Sequence, residues 1–568
     1  MEEFVIDKQA SIVYSDGLIT KEKIDIMVNY LCNLISSYGT NKPIGVLINR
    51  DVWTILANLS CLKLGIPYVP ININYPMNRI EYVLNDCEVE LIITTKKVRN
   101  MLGKSRKCIC IDDITMEDIK KQTNEKVYTE NFNDVAYIMY TSGTTGNPKG
   151  VQIYRQSLIR LNEGINQIIN FEKKCNIACL TEPCFDIFYV ESIMALCLGM
   201  NVYLAGDDEV DNPKKLSIWL KNMNIDAVQM TPSRLQQLIY VDNALKCLGN
   251  IKKILIGGEP LNNNMLEILQ KNKELEIYNM YGPTETTVWS SIADLSKTNE
   301  ITIGKPIKGT NIHILDETMV EVEKGKIGEI CISGEGVSKG YINQEEMNKK
   351  KFINYKGMRI YRTGDLGKKT ENEEYVCLGR IDNQVKVNGK RIELEEIENN
   401  VCQYDDILAA AVVYYGEQEK NLYVFYVALK NIVAKDIKRF LENIYPVDMV
   451  PDIYIQLKSI PQTLNGKIDR KLLERYIESR RVNNISEESD DIEYEIICLI
   501  GSVASKLINV NKKMKFKEAG LNSLSIVKIY ALVEQKYNIR FDDDKLRLNA
   551  FYTIEDFINY VNYKVKNG

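Results

Sequence analysis

The sequence predicts an α/β fold: a large domain of parallel sheets flanked by helices and bearing a β-rich lobe, then a small α+β lobe, then a helical end. Three observations carry this. Short β runs alternate with helical stretches over the first two-thirds of the chain, the pattern of parallel sheets covered on both faces. From Ile301 to about Gly379 it changes to short β runs between Gly turns. The last residues are helical in period throughout. The 568 residues leave room for about three or four such units. The apolar content of 45% is ample for packed cores.

In order, Gly45 to Ile48 reads as a strand, followed by a helix through Lys63, and Glu90 to Thr94 as another strand. Phe188 to Gly206 reads as a buried helix running into a strand, interrupted by Glu191 and Asn201. Ile225 to Met230, Lys253 to Ile256 and Glu276 to Met280 are strands separated by helices. Ile407 to Tyr415 and Leu422 to Leu429 are the strong strands of the small lobe. The polar stretch Ser479 to Asp491 has little to bury and reads as a linker. Beyond it, Ile496, Ile500, Val503 and Leu507 recur at helical spacing. The expected units are 1–381, 382–478, a linker at 479–491, and 492–568.

Composition excludes several classes. Basic residues number 72 and acidic ones 77, a net charge of −5, which argues against a generally basic nucleic-acid binder. No apolar run reaches the length of a membrane span. The N-terminus, Met-Glu-Glu-Phe-Val-Ile-Asp, lacks the basic region of a secretory signal, so the expectation is a cytoplasmic chain with no nucleic-acid or membrane partner. The 14 cysteines are scattered in apolar segments and read as reduced core residues. His313 is the only histidine. A zinc site or histidine acid–base chemistry is therefore hard to build. Gly336-Val-Ser-Lys-Gly340 matches a hydrolase elbow, but that fold needs a histidine after the serine.

The most informative string is Tyr140-Thr-Ser-Gly-Thr-Thr-Gly-Asn-Pro-Lys-Gly150. Small and hydroxyl residues in a loop present N–H and O–H donors to phosphate oxygens, and Lys149 adds a positive charge. It is not a Walker A loop, because Pro148 stands before the lysine. Five further strings follow the same order as those of one known family: Leu62-Lys-Leu-Gly-Ile-Pro-Tyr-Val-Pro70, Tyr281-Gly-Pro-Thr-Glu-Thr286, Tyr361-Arg-Thr-Gly-Asp-Leu366, Gly379-Arg-Ile-Asp-Asn-Gln-Val-Lys386 and Leu464-Asn-Gly-Lys-Ile-Asp-Arg470.

Together these resemble the adenylate-forming enzymes, which include acyl-CoA synthetases, luciferases and the adenylation domains of nonribosomal peptide synthetases. The resemblance implies ATP and Mg²⁺. It implies a phosphate loop at Thr141, Ser142, Gly143, Thr144, Thr145 and Lys149. Tyr281 would lie against adenine, with Thr284 beside it and Glu285 toward Mg²⁺. Asp365 would grip the ribose hydroxyls, with Arg380 as a further nucleotide contact. Asp382 would be the hinge and Lys467 the catalytic cation that bridges the substrate carboxylate and the α-phosphate.

Cys184-Phe-Asp-Ile-Phe188 points to the peptide-synthetase branch, where an Asp pairs with the substrate ammonium; Asp186 matches it. Phe516-Lys-Glu-Ala-Gly-Leu-Asn-Ser-Leu524 resembles the motif of a peptidyl carrier domain of four-helix type, which puts 4′-phosphopantetheine on Ser523. Asn522 replaces the usual Asp of that motif. By spacing from the motifs, the family's pocket positions fall on Asp186, Ile187, Val190, Gln229, Leu255, Gly257, Met280, Val288 and Trp289. That set resembles the pattern of glycine-activating domains, with alanine the nearest competitor. The resemblance implies glycine loading onto the chain's own carrier, a phosphopantetheinyl transferase as partner, and condensation or tailoring enzymes acting in trans; it leaves open a small helper protein. A different class, a non-catalytic carrier scaffold, is disfavoured because the phosphate loop, Glu285, Asp365 and Lys467 are all intact.

Overall fold

A computed structural model describes residues 4–567, except 16, 104–105, 122–133, 142–147, 243–244, 299, 382–383, 388–389, 417–420, 429, 431, 458–459, 462–467, 483–495, 497–498, 501–502, 504–511, 520, 522, 538, 543–544 and 547–549. Among the described residues the chain forms five sheets.

A nine-stranded sheet runs from edge to edge through the strands that begin at Lys305, Ser291, Glu276, Lys253, Ala227, Asn176, Asn201, Ser11 and Gly17. A seven-stranded sheet runs through those that begin at Gly340, Lys149, Val135, Tyr68, Ile44, Leu91 and Lys107. One apolar cluster joins the two, from Ile12 and Ile44 to Leu255 and Trp289. A second covers the other face of the nine-stranded sheet.

Both sheets are mixed, where the alternation predicted parallel ones. Their centres are parallel, but Val135–Thr141 and Lys149–Tyr154 pair antiparallel, as do Glu276–Tyr281 and Ser291–Asp294. The connection from Thr141 to Lys149 is far shorter than the dozen or so residues that a parallel crossover needs. Local chemistry fixes the element ends. The helix Val52–Leu64 begins where Asp51 accepts the Trp53 N–H at 2.8 Å and ends at Gly65 in left-handed backbone, φ +67°.

The β-rich lobe is a five-stranded antiparallel sheet from Thr310 to Arg380. His313 lies on its strand Thr310–Leu315, half-buried, with Nε2 3.0 Å from Ser333 Oγ. Burial holds its pKa below the usual value. The 13 described cysteines are all free.

In the small lobe, Ile407–Tyr415 pairs with Asn421–Ala428. Val412 and Val424 face one cluster, whereas Val413 and Phe425 face another with Leu473 and Ile477. The strand period of two thus buries both faces. The helix Arg470–Val482 carries past the boundary expected at residue 478. Leu473 and Ile477 anchor it, and the Glu and Arg residues that follow favour helix over linker.

At the C-terminal end, Tyr530, Phe541 and Phe557 stack in a separate core, with Phe516 edge-on to Tyr530 and Phe557. The helix Ser523–Tyr537 of this unit packs on Pro232–Val241 of the large domain. Among the described residues no helix is long and apolar enough to cross a membrane.

Candidate active site

One segment, Met280 to Trp289, joins three groups of side chains. It leaves the strand Glu276–Tyr281, makes a single 3-10 turn at Thr284–Thr286, and then places Thr287 (φ +64°) and Val288 (φ +59°) in left-handed backbone. That region is strained for a β-branched residue and persists only where the surroundings impose it. Here they do. The Trp289 N–H donates to Thr287 O at 2.7 Å, the Ser290 N–H to Tyr281 O at 2.7 Å, and Thr287 Oγ1 to Gly336 O at 2.7 Å.

The turn throws Trp289 back onto the sheet. Its indole is 2% exposed and lies directly on Gly257, where an added Cβ would sit 2.4 Å from Cη2. The Trp289 Nε1–H donates to Gln229 Oε1 at 3.1 Å. That bond fixes the amide, and the buried Gln229 Nε2 has no hydrogen-bond partner among the described residues. Gln229 and Leu255 are register partners on adjacent strands, as are Gly257 and Met280. Val190, Leu255, Met280, Val288 and Trp289 share one cluster, with Ile187 against it. Asp186 is half-buried just before the helix that starts at Ile187. Burial raises the Tyr137 phenol's pKa, and the charge of Asp186 raises it further.

The second group is Tyr281, Asp365 and Arg380. The Tyr281 hydroxyl donates to Asp365 Oδ2 at 2.5 Å, and Arg380 Nη1 donates to Oδ1 at 2.9 Å. Asp365 and Arg380 are cross-strand partners, so the sheet itself fixes this pair. Burial, followed by Asp365, holds the Tyr281 phenol protonated, so it stays a donor. The carboxylate keeps further lone pairs for a ligand's hydroxyls.

The third group stands around Thr141 and Lys149, the residues that flank the phosphate-type segment. Thr141 and Lys149 stand opposite each other in the register that closes it. The Thr141 Oγ1 is buried without a hydrogen-bond partner among the described residues. Lys149 Nζ lies 5.5 Å from the centre of the Tyr341 ring, whose hydroxyl donates to Glu285 Oε1 at 2.6 Å. Glu285 is wholly buried, and Thr284 is half-buried beside it. Among the described residues no three acidic, His or Cys groups cluster as a metal cage. A single enclosed carboxylate fits Mg²⁺ held mainly by phosphate oxygens and water.

Ser142, Gly143, Thr144, Thr145, Asp382, Lys467 and Asn522 lie outside the described residues. Ser523 is half-buried at the start of its helix. A serine hydroxyl at a helix N-terminus suits a phosphodiester such as that of 4′-phosphopantetheine. Three residues escaped the sequence reading: Tyr341, Glu393 and Glu191. Glu191 had left a trace, an acid inside an apolar run. Tyr341 and Glu393 had left none, since their partners are distant in the chain.

Residues 6–342 match the family described as AMP-binding enzyme. The chain belongs to that family. AMP-binding enzymes use ATP and Mg²⁺ and are adenylate-forming ligases. This AMP-binding enzyme is 32% identical over 564 residues to gramicidin S synthase 2 of Brevibacillus brevis; the match takes in 95% of this chain and 12% of that one. The chain therefore spans about an eighth of that relative's length. The fold is similar to that of a holo nonribosomal peptide synthetase protein containing adenylation and PCP domains, bound to a vinylsulfonamide inhibitor. The TM-score is 0.81 at 24% identity, over 98% of this chain and 94% of that one. It is also similar to a holo four-domain nonribosomal peptide synthetase bound to AMP and glycine, with a TM-score of 0.59 at 26% identity over 97% of this chain and 41% of that one.

Proposed function

We propose that this AMP-binding enzyme activates glycine as glycyl-AMP and passes it to a phosphopantetheine thiol on Ser523, within nonribosomal peptide synthesis. The observation that carries the reading is the filled pocket: Trp289, seated on Gly257 and hydrogen-bonded to Gln229, takes up the space an amino-acid side chain needs. Asp186 remains as the carboxylate for the substrate ammonium. A filled pocket discriminates by steric clash, and alanine, one methyl larger, is the least completely rejected competitor. The four-domain relative that binds AMP and glycine supports the same reading.

In the first half-reaction the glycine carboxylate oxygen attacks the α-phosphorus of ATP, and the bond to pyrophosphate breaks. Both partners are anionic, so the protein must align them and neutralise charge. Lys149, with Ser142, Gly143, Thr144 and Thr145, is assigned to the phosphates on its motif. Asp365 accepts from the ribose hydroxyls while Tyr281 and Arg380 hold it in place. Lys467 is assigned the carboxylate–phosphate bridge on its motif. Mg²⁺, met by Glu285, would neutralise phosphate charge. In the second half-reaction the thiol sulfur attacks the acyl carbon and AMP leaves. The packing of the Ser523 helix on Pro232–Val241 supports transfer within one chain. The units 1–381, 382–478 and 492–568 would act as adenylation core, mobile lobe and carrier. A phosphopantetheinyl transferase would prime Ser523, and condensation or tailoring partners would act downstream.

Amino-acid-dependent ATP–pyrophosphate exchange across the proteinogenic set tests the first step. A dominant glycine signal with weak alanine is expected; dominance of a larger amino acid would overturn the pocket reading. Mass spectrometry of the primed chain tests the second, since Ser523→Ala should abolish the glycyl adduct and leave exchange intact.

A further inference from the structure

The loop that carries Asp186 is fixed from an unexpected quarter. Residues 180–186 run from the strand Asn176–Cys179 to the helix that starts at Ile187. Glu191 stands further along that helix and is wholly buried. Its Oε2 accepts the N–H groups of Leu180 at 2.8 Å and Thr181 at 2.9 Å, and its Oε1 accepts the Thr181 hydroxyl at 2.8 Å. The start of the loop is thus tied to the element that follows its end. Within the span, Phe185 N–H donates to Glu182 O, and Tyr189 N–H to Asp186 O, both at 3.0 Å. Asn72 holds the Glu182 carboxylate from outside.

Glu191 sits in a π-helical stretch, Val190–Met194, which joins the short α-helical pieces on either side. Single π turns inside helices recur at functional sites. Here two adjacent residues serve two purposes: Val190 enters the pocket cluster and Glu191 holds the loop. A buried carboxylate without partners is costly, so the three donors keep Glu191 in place as firmly as it keeps them. Burial pushes the Glu191 pKa up; the Thr181 and Leu180 donors oppose that push, and the charge of the half-buried Arg234 adds to them, while Cys179 lies close by.

The geometry points to Glu191 as the positioning residue for Asp186: it sets where the ammonium-binding carboxylate stands, without touching substrate. This rests on the amino-acid reading above. A loop that relaxes by even about 1 Å would move Asp186 out of contact and cost on the order of a hundredfold. The loss would fall on the amino acid and spare ATP.

The test is ATP–pyrophosphate exchange by the full chain with glycine and with glycolate, which carries a hydroxyl where glycine has its ammonium. Glu191→Gln and Thr181→Val are compared with the wild type. Glu191→Gln is expected to raise the glycine KM at least ~10-fold, keep the ATP KM within ~2-fold, and narrow the preference for glycine over glycolate. Thr181→Val removes only the hydroxyl bond, so it should fold and shift the same quantities the same way by a smaller factor. Unchanged KM and unchanged preference in Thr181→Val, or a fall in kcat alone in Glu191→Gln, would overturn the role. A wild type that does not distinguish glycine from glycolate would overturn the amino-acid reading itself, and this role with it.

Discussion

Lys149 Nζ lies 3.7 Å from Glu393 Oε1, and the two side chains are only 5% and 8% exposed. Lys149 borders the phosphate-type loop, whereas Glu393 ends the second strand of the hairpin formed by Gln384–Val387 and Lys390–Glu393. The same hairpin sets Lys390 Nζ 5.6 Å from the centre of the Phe185 ring, next to Asp186. The hairpin therefore meets the large domain both at Lys149 and beside Asp186.

Breaking a buried ion pair by removing one partner costs about 3–5 kcal/mol. In Glu393→Gln that cost falls on this seating of the hairpin, since Lys149 keeps its place in the sheet. Amide hydrogen exchange in 384–387 and 390–393 should therefore quicken while the strand Glu276–Tyr281 stays protected. Equal exchange in variant and wild type would show that the pair does not hold the hairpin. Glycine-dependent exchange of pyrophosphate should persist, and transfer to Ser523 should slow.

Trp289→Leu opens the pocket. It removes the ring from Gly257 and the donor from Gln229, whose amide oxygen then loses its hydrogen bond. Large-to-small changes in a core cost about 2–5 kcal/mol, so the melting temperature should fall. Alanine-dependent exchange should rise relative to glycine, read as the ratio of kcat/KM values. A ratio that stays at the wild-type value would remove Trp289 from the specificity argument.

Much of this architecture was legible in the sequence because strand and helix periods differ and the Gly-rich motifs have fixed order. Ile407–Tyr415 is the clearest case, an apolar run in which neither face had to be polar. The antiparallel sheet edges were not legible, because pairing direction depends on connection length and not on the pattern inside a strand. In the site, the expected roles of Asp186 and Asp365 were legible from their motifs and that of Trp289 from its spacing. The Thr287–Val288 strain, the Tyr341–Glu285 bond and the Lys149–Glu393 pair were not. They depend on contacts between residues distant in the chain, or on backbone angles that no residue type announced.

Asp365→Asn tests the nucleotide side. The variant keeps volume but takes the negative charge from between Tyr281 and Arg380. Hydrogen bonds to charged groups contribute about 1.5–3 kcal/mol. The KM for ATP should rise by about tenfold to a hundredfold, with the amino-acid KM little changed. A rise confined to the amino acid would place Asp365 at the wrong substrate.

Gly257→Ala asks whether the glycine and the indole are one device. The added Cβ would meet Trp289 Cη2 at 2.4 Å and the Met280 carbonyl oxygen at 2.8 Å. The carbonyl belongs to a paired strand and cannot retreat. The indole is held by its bond to Gln229 and by the strained turn behind it. Overpacking of this kind costs about 1–3 kcal/mol, and it pushes the ring toward the space left for substrate. Gly257→Ala alone should therefore lower both stability and glycine-dependent exchange. Adding Trp289→Leu should recover part of both, because it removes the atoms the methyl strikes. Residues in contact couple by about 0.5–3 kcal/mol in a double-mutant cycle. Strict additivity of the two changes would mean that the methyl is absorbed by the backbone and that the glycine is not there for the indole.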